Sequence, residues 1–179
     1  APAARGPRLT APPPLTAKPV IYVANVAEED LPDGRGNPQV EAVRRKALEE
    51  GAEVVVVSAR LEAELAELSG EEARELLAAY GLQESGLQRL ARAGYRALDL
   101  LTFFTAGEKE VRAWTVRRGT KAPKAAGEIH SDMERGFIRA EVISYEDLMA
   151  AGSTAEARRR GTFRLEGKTY EVADGDIIN

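Results

Sequence analysis

The chain has 179 residues, enough for one ordinary domain or two small units, with 44% hydrophobic and 30% charged residues and a formal net charge of -4. The absence of cysteine excludes disulfides, zinc-thiolate sites and thiol nucleophiles, and the acidic balance argues against a surface wrapped throughout in nucleic acid. Neither a signal peptide nor a membrane-spanning apolar run is apparent, so we expect a cytoplasmic protein.

Residues 1–17 form a proline-rich lead that includes three consecutive prolines, Pro12 to Pro14. Proline lacks a backbone N–H and breaks helix interiors, so this lead is predicted to be extended or poorly ordered.

The first predicted strand is the apolar run Val20–Ala24, which has the length and composition of a strand buried on both faces. Asn25 follows it directly, and Glu28 lies three residues further on. Polar residues just after a parallel strand are typical of a ligand site at the carboxyl edge of a sheet. An ordinary strand ending in a polar loop is the alternative.

A helix and a second strand come next. Asn37 and Pro38 predict a helix start, Gly51 predicts its end, and Glu53–Val57 is the next strand. A strand, a crossover helix and a second strand predict a parallel βαβ unit.

The parallel arrangement places Asn25 beside Ser58 and Ala59, which follow the second strand. Both loops could therefore line one pocket. In the alternative interpretation, Ser58 caps the helix that follows and Ala59 is merely small.

Two further helices are predicted before the chain changes character. Ser69 and Glu72 form a capping-box pattern that opens one helix, and residues 85–98 predict another. Its apolar face is expected to contain Leu87, Leu90, Ala91 and Tyr95.

From about residue 99 the pattern is that of a small mixed sheet packed on one helix, the β-grasp or ubiquitin-like layout. The predicted segments are a hairpin (101–105 and 111–116, turning at 106–109), a helix (122–133), a strand (137–144) and a closing hairpin (163–165 and 169–172).

Two basic stretches and a single histidine are candidate contact residues in this half: Lys121 and Lys124; Arg158, Arg159 and Arg160; and His130. The basic stretches could be solvated faces or a phosphate-contacting surface for RNA or another partner. His130 with Asp132 could be an acid-base pair or metal ligands, but we favour a structural or partner-contact role because no second His or Cys completes a site.

The residues Asn25, Val26, Ala27 and Glu28 occupy the place of the Asn-Lys-x-Asp base motif of P-loop GTPases. From about Leu15 to Asn179 the chain resembles the YchF / Obg-like ATPase family. The resemblance implies that Asn25 orients the purine and that the Val26 backbone, as acceptor and donor, recognises adenine. It also implies that Ser58 and Ala59 close the pocket. Glu28 replaces the guanine-reading Asp, and the family implies ATP rather than GTP.

The second half resembles the TGS module of the same family, on motifs spread along its length: Leu101–Thr105, Arg112–Trp114, Ala126, Ile129–Asp132, Phe137–Ile138 and Asp174–Asp176. The resemblance implies residues 18–98 as the C-terminal part of an α/β nucleotide-binding domain with helices, and residues 99–179 as a TGS domain. We expect the terminal strand of this layout to be missing after Asn179.

No Gly-x-x-x-x-Gly-Lys-Ser/Thr phosphate loop occurs in the 179 residues, so no catalytic residue or metal ligand is expected in this chain. The resemblance implies ATP or GTP hydrolysis with magnesium in a longer protein, and association with the ribosome or RNA. A non-catalytic RNA- or protein-binding TGS module and a GTPase are the alternatives.

Overall fold

The computed structural model describes residues 15–107 and 110–179. The predictions for residues 1–14 and for Glu108 and Lys109 in the hairpin turn lie outside the described residues. The chain divides into two compact units, one ending at Ala97 and the other spanning Leu98–Asn179. The fold is mixed α/β.

In its described part, from Leu15, the first unit contains two parallel strands and four helices: β1 (Ile21–Asn25), α1 (Pro38–Glu50), β2 (Glu53–Val57), α2 (Ala59–Leu65), α3 (Gly70–Ala79) and α4 (Gly86–Ala97). Single 3₁₀ turns occupy Leu15–Ala17 and Glu28–Asp30. The Asn37 side chain caps α1 as the sequence predicts, and Gly51 ends it in the left-handed region at φ 65°.

The strands of this unit are less buried than the sequence predicts. Ala24 packs with Val40 and Val56 on the face that α1 covers, whereas Val23 on the opposite face is 48% exposed. The prediction that β1 is buried on both faces is therefore wrong. The physical reason is that α4 packs mainly on β2 and leaves the outer part of β1 uncovered.

The prediction that Leu87, Leu90, Ala91 and Tyr95 form the buried face of α4 is also wrong. Leu87 is 63% exposed and Tyr95 39% exposed, while the buried residues of α4 are Gly86 and Ala93. A β-carbon on Gly86 would lie only 2.7 Å from Val57 Cγ1. The helix approaches β2 through its small residues, which a count of large apolar side chains does not detect.

The second unit contains a five-stranded sheet and four helices: β3 (Leu100–Ala106), β4 (Val111–Arg117), α5 (Ala122–Ile129), α6 (Ser131–Gly136), β5 (Arg139–Ser144), α7 (Tyr145–Ala151), α8 (Thr154–Arg160), β6 (Arg164–Gly167) and β7 (Asp176–Ile178). The strand order is β4-β3-β7-β5-β6. The central strand β7 is parallel to β3 and antiparallel to β5.

The second half of this unit departs from the prediction in its strands. No strand forms over 169–172, apart from one isolated bridge at Glu171. β6 pairs with β5, and the segment Asp176–Ile178 closes the sheet at its centre. The expectation that the terminal strand is missing is therefore wrong.

The helices of this unit differ as well. The helix predicted over 122–133 is broken at His130, whose extended backbone (φ -162°) separates α5 from α6. The helices α7 and α8 were not predicted. Each begins at a serine that accepts a hydrogen bond from a backbone N–H three residues on, and each ends at a glycine with positive φ.

A buried carboxylate, missed by the sequence analysis, fixes the start of β7. Asp176 is 2% exposed, and its Oδ2 accepts from Tyr170 Oη at 2.7 Å and from the Ala173 N–H at 2.8 Å. Arg164 Nη2 lies 3.3 Å from its other oxygen. Buried charges are retained where they are paired and hydrogen-bonded, so this network positions the central strand.

Candidate nucleotide-base site

The carboxyl ends of β1 and β2 are tied together by the side chain of Asn25. Asn25 pairs with Val57 in the parallel ladder, and its Oδ1 accepts from the Ala59 N–H at 2.9 Å. The predicted placement of the two loops side by side is thus what the structure has. This bond joins both loops into one polar edge of the sheet, at the position where open α/β sheets bind ligands.

Ser58 caps the start of α2, as one of the two interpretations of the sequence predicts. It is 2% exposed, and its Oγ accepts from the Leu61 N–H at the start of α2. Ala59, by contrast, is exposed at the edge of the sheet. Contact of either residue with a nucleotide stays a prediction.

Val26 presents one backbone group to a ligand rather than two. Its N–H donates to the Val57 carbonyl at 2.8 Å and extends the ladder past the end of β1. Among the described residues no donor bonds to the Val26 carbonyl. We expected the Val26 backbone both to donate a hydrogen bond to adenine and to accept one from it. This expectation is corrected, because the N–H is already bonded and the carbonyl is the group left to accept.

Glu28 is directed toward the helices. Its Oε2 accepts from Tyr80 Oη at 3.1 Å, and its Oε1 lies 3.3 Å from Arg60 Nε. The carboxylate is 22% exposed, and no described donor makes a well-aligned hydrogen bond to Oε1. The bond to Glu28, together with burial, raises the pKa of the Tyr80 phenol.

Sequence reasoning missed Tyr80 and Arg60 as partners of this loop. Tyr80 lies 52 residues from Glu28 in the chain, and it follows α3 among other apolar side chains. No local pattern signals such a contact. Two contacts hold the residues that follow Glu28 in place. Leu31 packs against the apolar cluster of Leu61, Leu77 and Leu82, and Asn37 Nδ2 donates a hydrogen bond to Asp30 at 2.8 Å.

Most of the predicted basic contact residues form ion pairs within the second unit. Arg158 makes two hydrogen bonds to Glu141, at 2.8 and 2.6 Å, and Arg159 and Arg160 both bond to Glu156. These two arginines lower the pKa of the Glu156 carboxyl to about 2. Arg158, Arg159 and Arg160 therefore all take part in ion pairs with carboxylates of the same unit.

The two lysines differ from each other. Lys124 forms an ion pair with Glu134, which raises the pKa of its ammonium group. Lys121 is exposed, and no ion pair joins it to any described residue. Of the five predicted basic positions, Lys121 is the one without an ion pair to a described residue, and Arg159 and Arg160 share one carboxylate, which leaves one positive charge uncompensated.

His130 caps α6 with its ring. Nδ1 accepts from the Asp132 N–H at 3.2 Å. The Asp132 carboxylate bonds to Arg135 at 2.6 Å. The ring is exposed and finishes one helix while starting the next, in keeping with a structural role.

Residues 15–107 and 110–179 contain no group of three or more His, Asp or Glu side chains arranged to hold a metal ion. Across the same ranges, no helix is both long and apolar enough to cross a bilayer. Magnesium binding by residues elsewhere stays a prediction.

An apolar cavity of about 1120 Å³ lies in the second unit. Its lining includes Phe103, Ala126, Ile129 and Met133, and it contains none of the residues predicted to bind a nucleotide or a partner. Cavity volume alone does not mark the candidate site, because the base loops of the first unit lie at an exposed sheet edge.

Comparison with known proteins gives a consistent set of similarities. The family model YchF-GTPase_C, described as a protein of unknown function (DUF933), matches residues 100–179. The ribosome-binding ATPase YchF of Bacillus subtilis is 56% identical over 165 residues, covering 92% of this chain and 45% of that protein. Obg-like ATPase 1 of Pongo abelii is 45% identical over 166 residues, covering 92% and 41%.

Solved structures agree with the sequence comparisons. The Schizosaccharomyces pombe YchF GTPase superposes with a TM-score of 0.79 at 38% identity, covering 92% of this chain and 44% of that one. A GTP-binding protein from Pyrococcus horikoshii shares the fold, with a TM-score of 0.60 at 20% identity. The chain spans less than half the length of the relatives it matches.

Proposed function

The chain belongs to the YchF / Obg-like ATPase family, and on this premise we propose that its first unit supplies the purine-base loops of an ATP-binding domain. The observation that carries the proposal is the bond from the Ala59 N–H to Asn25 Oδ1 at 2.9 Å. It joins the two loops that follow neighbouring parallel strands, where α/β sheets bind nucleotides.

The backbone at Val26 favours adenine. Its N–H is bonded to Val57, so the carbonyl is the group left to meet a base. Adenine carries a donor amine at C6, which a carbonyl accepts, whereas guanine carries an oxygen acceptor there, which a carbonyl repels. We therefore assign ATP rather than GTP as the preferred nucleotide, with Asn25 orienting the base and Ser58 and Ala59 closing its pocket.

Hydrolysis and magnesium binding are assigned to residues outside this chain, since its sequence contains no phosphate loop. β1 has a free edge among the described residues, because it pairs only with β2. Further strands added at that edge would continue the sheet and bring phosphate-binding loops to the same side. Relatives named as ribosome-binding ATPases support nucleotide hydrolysis by such a complete protein.

The second unit is proposed to be a TGS-type β-grasp module that contacts the ribosome or RNA in the cytoplasm. Its first and last strands, β3 and β7, lie side by side in parallel, as the β-grasp layout requires. Lys121, which has no ion pair to a described residue, and Arg159 with Arg160, which share one carboxylate, are the basic residues available for a phosphate contact. Lys124 and Arg158 each pair with a carboxylate of their own. A non-catalytic RNA- or protein-binding module is the second candidate.

The test is a titration of the ¹⁵N-labelled chain with ATP, followed by NMR. ATP is expected to shift the amide signals of residues 25–28 and 58–59. Asn25→Ala should weaken this response at least about tenfold, because it removes both the base contact and the tie to Ala59. Gln83→Ala, an exposed change in the same unit, is the control.

Loss of the response in Asn25→Ala but not in Gln83→Ala supports the base site. No response of these amides in the unchanged chain at millimolar ATP would overturn it and leave the binding-module candidate.

A further inference from the structure

We propose that Tyr80 and Arg60 determine the base specificity of this site by holding the Glu28 carboxylate away from the purine. This inference rests on the proposed base site at residues 25–28. Both residues act through Glu28, so they are positioning residues. Tyr80 bonds to one carboxylate oxygen at 3.1 Å, and Arg60 faces the other at 3.3 Å.

The chemistry of the two purines explains why the position of this carboxylate matters. Guanine presents two parallel donors, N1–H and the C2 amine, which match the two oxygens of a carboxylate. Adenine presents an acceptor at N1 and no amine at C2, so a carboxylate at that edge is repelled. A free carboxylate three residues after Asn25 would therefore favour guanine, and a sequestered one removes that advantage.

One aligned hydrogen bond, from Tyr80, and the nearby charge of Arg60 hold Glu28 in the sequestered position. The carboxylate is 22% exposed, and Tyr80 is anchored in the apolar cluster of Leu61, Leu77 and Leu82. The Arg60 side chain is 86% exposed, so solvent screens its attraction to Glu28. Tyr80 is accordingly the stronger of the two restraints.

The experiment compares the affinities of the chain for ATP and GTP by the same NMR titration. Tyr80→Phe keeps the ring in its apolar cluster and removes only the hydroxyl, so the ratio of GTP affinity to ATP affinity should rise about tenfold. Arg60→Gln should raise it about twofold. A rise in this ratio is not expected from simple loss of structure, which weakens both nucleotides alike.

Two variants serve as controls. Tyr22→Phe removes a matched bond, from Tyr22 Oη to Glu50 at 2.6 Å in the same unit, and should leave the ratio unchanged. Tyr80→Phe combined with Glu28→Gln should return the ratio to that of the unchanged chain, because the gain requires a carboxylate.

The outcomes separate this inference from the proposed function. If ATP still shifts the base-loop signals but neither Tyr80→Phe nor Arg60→Gln changes the ratio, the positioning role is overturned and the ATP site stands. If ATP shifts no base-loop signal in the unchanged chain, both proposals fall. If Tyr80→Phe does not fold, the exposed Arg60→Gln decides, and an unchanged ratio there overturns the inference.

Discussion

The two sheets of this protein are built to different degrees of closure. Among the residues of the first unit that the structure describes, from Leu15 onward, β1 and β2 pair only with each other, and Val23 on β1 is 48% exposed. In the second unit the three-residue strand β7 lies between two longer strands, and Asp176 and Ile177 are 2% and 6% exposed. The difference teaches that position in a sheet, more than length or apolar content, decides how much a strand contributes to the core.

The largest expected change in stability comes from shortening a core side chain of the second sheet, and it is compared with the same kind of change in the first sheet. Phe103→Ala should lower the free energy of unfolding of the second unit by about 3–5 kcal/mol, because Phe103 is 1% exposed in its core. Val23→Ala, at the half-exposed position of β1, should cost less than about 1 kcal/mol. Fluorescence of Trp114, the only tryptophan, follows the second unit during denaturation by urea.

Circular dichroism and the NMR signals of β1 follow the first unit in the same samples. Equal losses from Phe103→Ala and Val23→Ala would contradict the comparison, because they would mean that β1 is as well packed as β3.

A smaller effect is expected where β7 begins. Asp176→Asn should destabilise the second unit by about 1–3 kcal/mol, since it removes the buried negative charge and places an amide NH2 donor against the Arg164 guanidinium, although its carbonyl can still accept from Tyr170 and the Ala173 N–H. Asp174→Asn is the matched control, because its oxygen can still accept from the Thr102 N–H. The free energy of unfolding of both variants is measured by urea denaturation followed by Trp114 fluorescence. Equal losses in the two variants would mean that the buried hydrogen-bond network of Asp176 stabilises the unit no more than the exposed bond of Asp174.

The last effect is a dependence of stability on alkaline pH, set by the Tyr170 phenol. Burial, and next the bond to Asp176, raise the pKa of the Tyr170 phenol to about 12, against about 10 in an unfolded chain. The folded state therefore favours the neutral phenol, and this contribution is complete below pH 10 and lost as the pH rises from about 10 to about 12.

The measurement is the free energy of unfolding against pH for the unchanged chain and for Tyr170→Phe. The variant should lose less stability over this range. Tyr145→Phe, at a side chain that is 51% exposed, should follow the unchanged chain. Identical slopes for all three proteins would show that the Tyr170 phenol does not contribute.

The sequence was sufficient where a local signal marked an element. Glu53–Val57 is a strand between Gly51 and Ser58, as its uninterrupted valines predict, and Asn37 and Pro38 start α1. The βαβ pattern placed Asn25 beside the Ser58 loop, because parallel strands put their carboxyl ends on one edge. Local signals for α7 and α8, a capping serine and a terminal glycine on each, were present in the sequence but were not used.

The remaining features depend on contacts between distant segments. Glu28 meets Tyr80 from 52 residues away, and β7 is defined by neighbours on both sides rather than by its own three residues. The break at His130 is local, yet the apolar spacing continues through it to Met133 while the backbone turns. A periodicity argument detects the apolar spacing and not the turn.

The central position of β7 has a consequence for synthesis on the ribosome. β7 follows every other strand of the second unit in the chain, yet it joins β3 to β5. During translation, β1, α1 and β2 can pair as soon as Val57 has emerged, whereas the two halves of the second sheet must wait for Asp176–Ile178. Until then the edges of β3 and β5 that pair with β7 keep unbonded backbone N–H and C=O groups, and such unpaired edges are the sites where other strands can add.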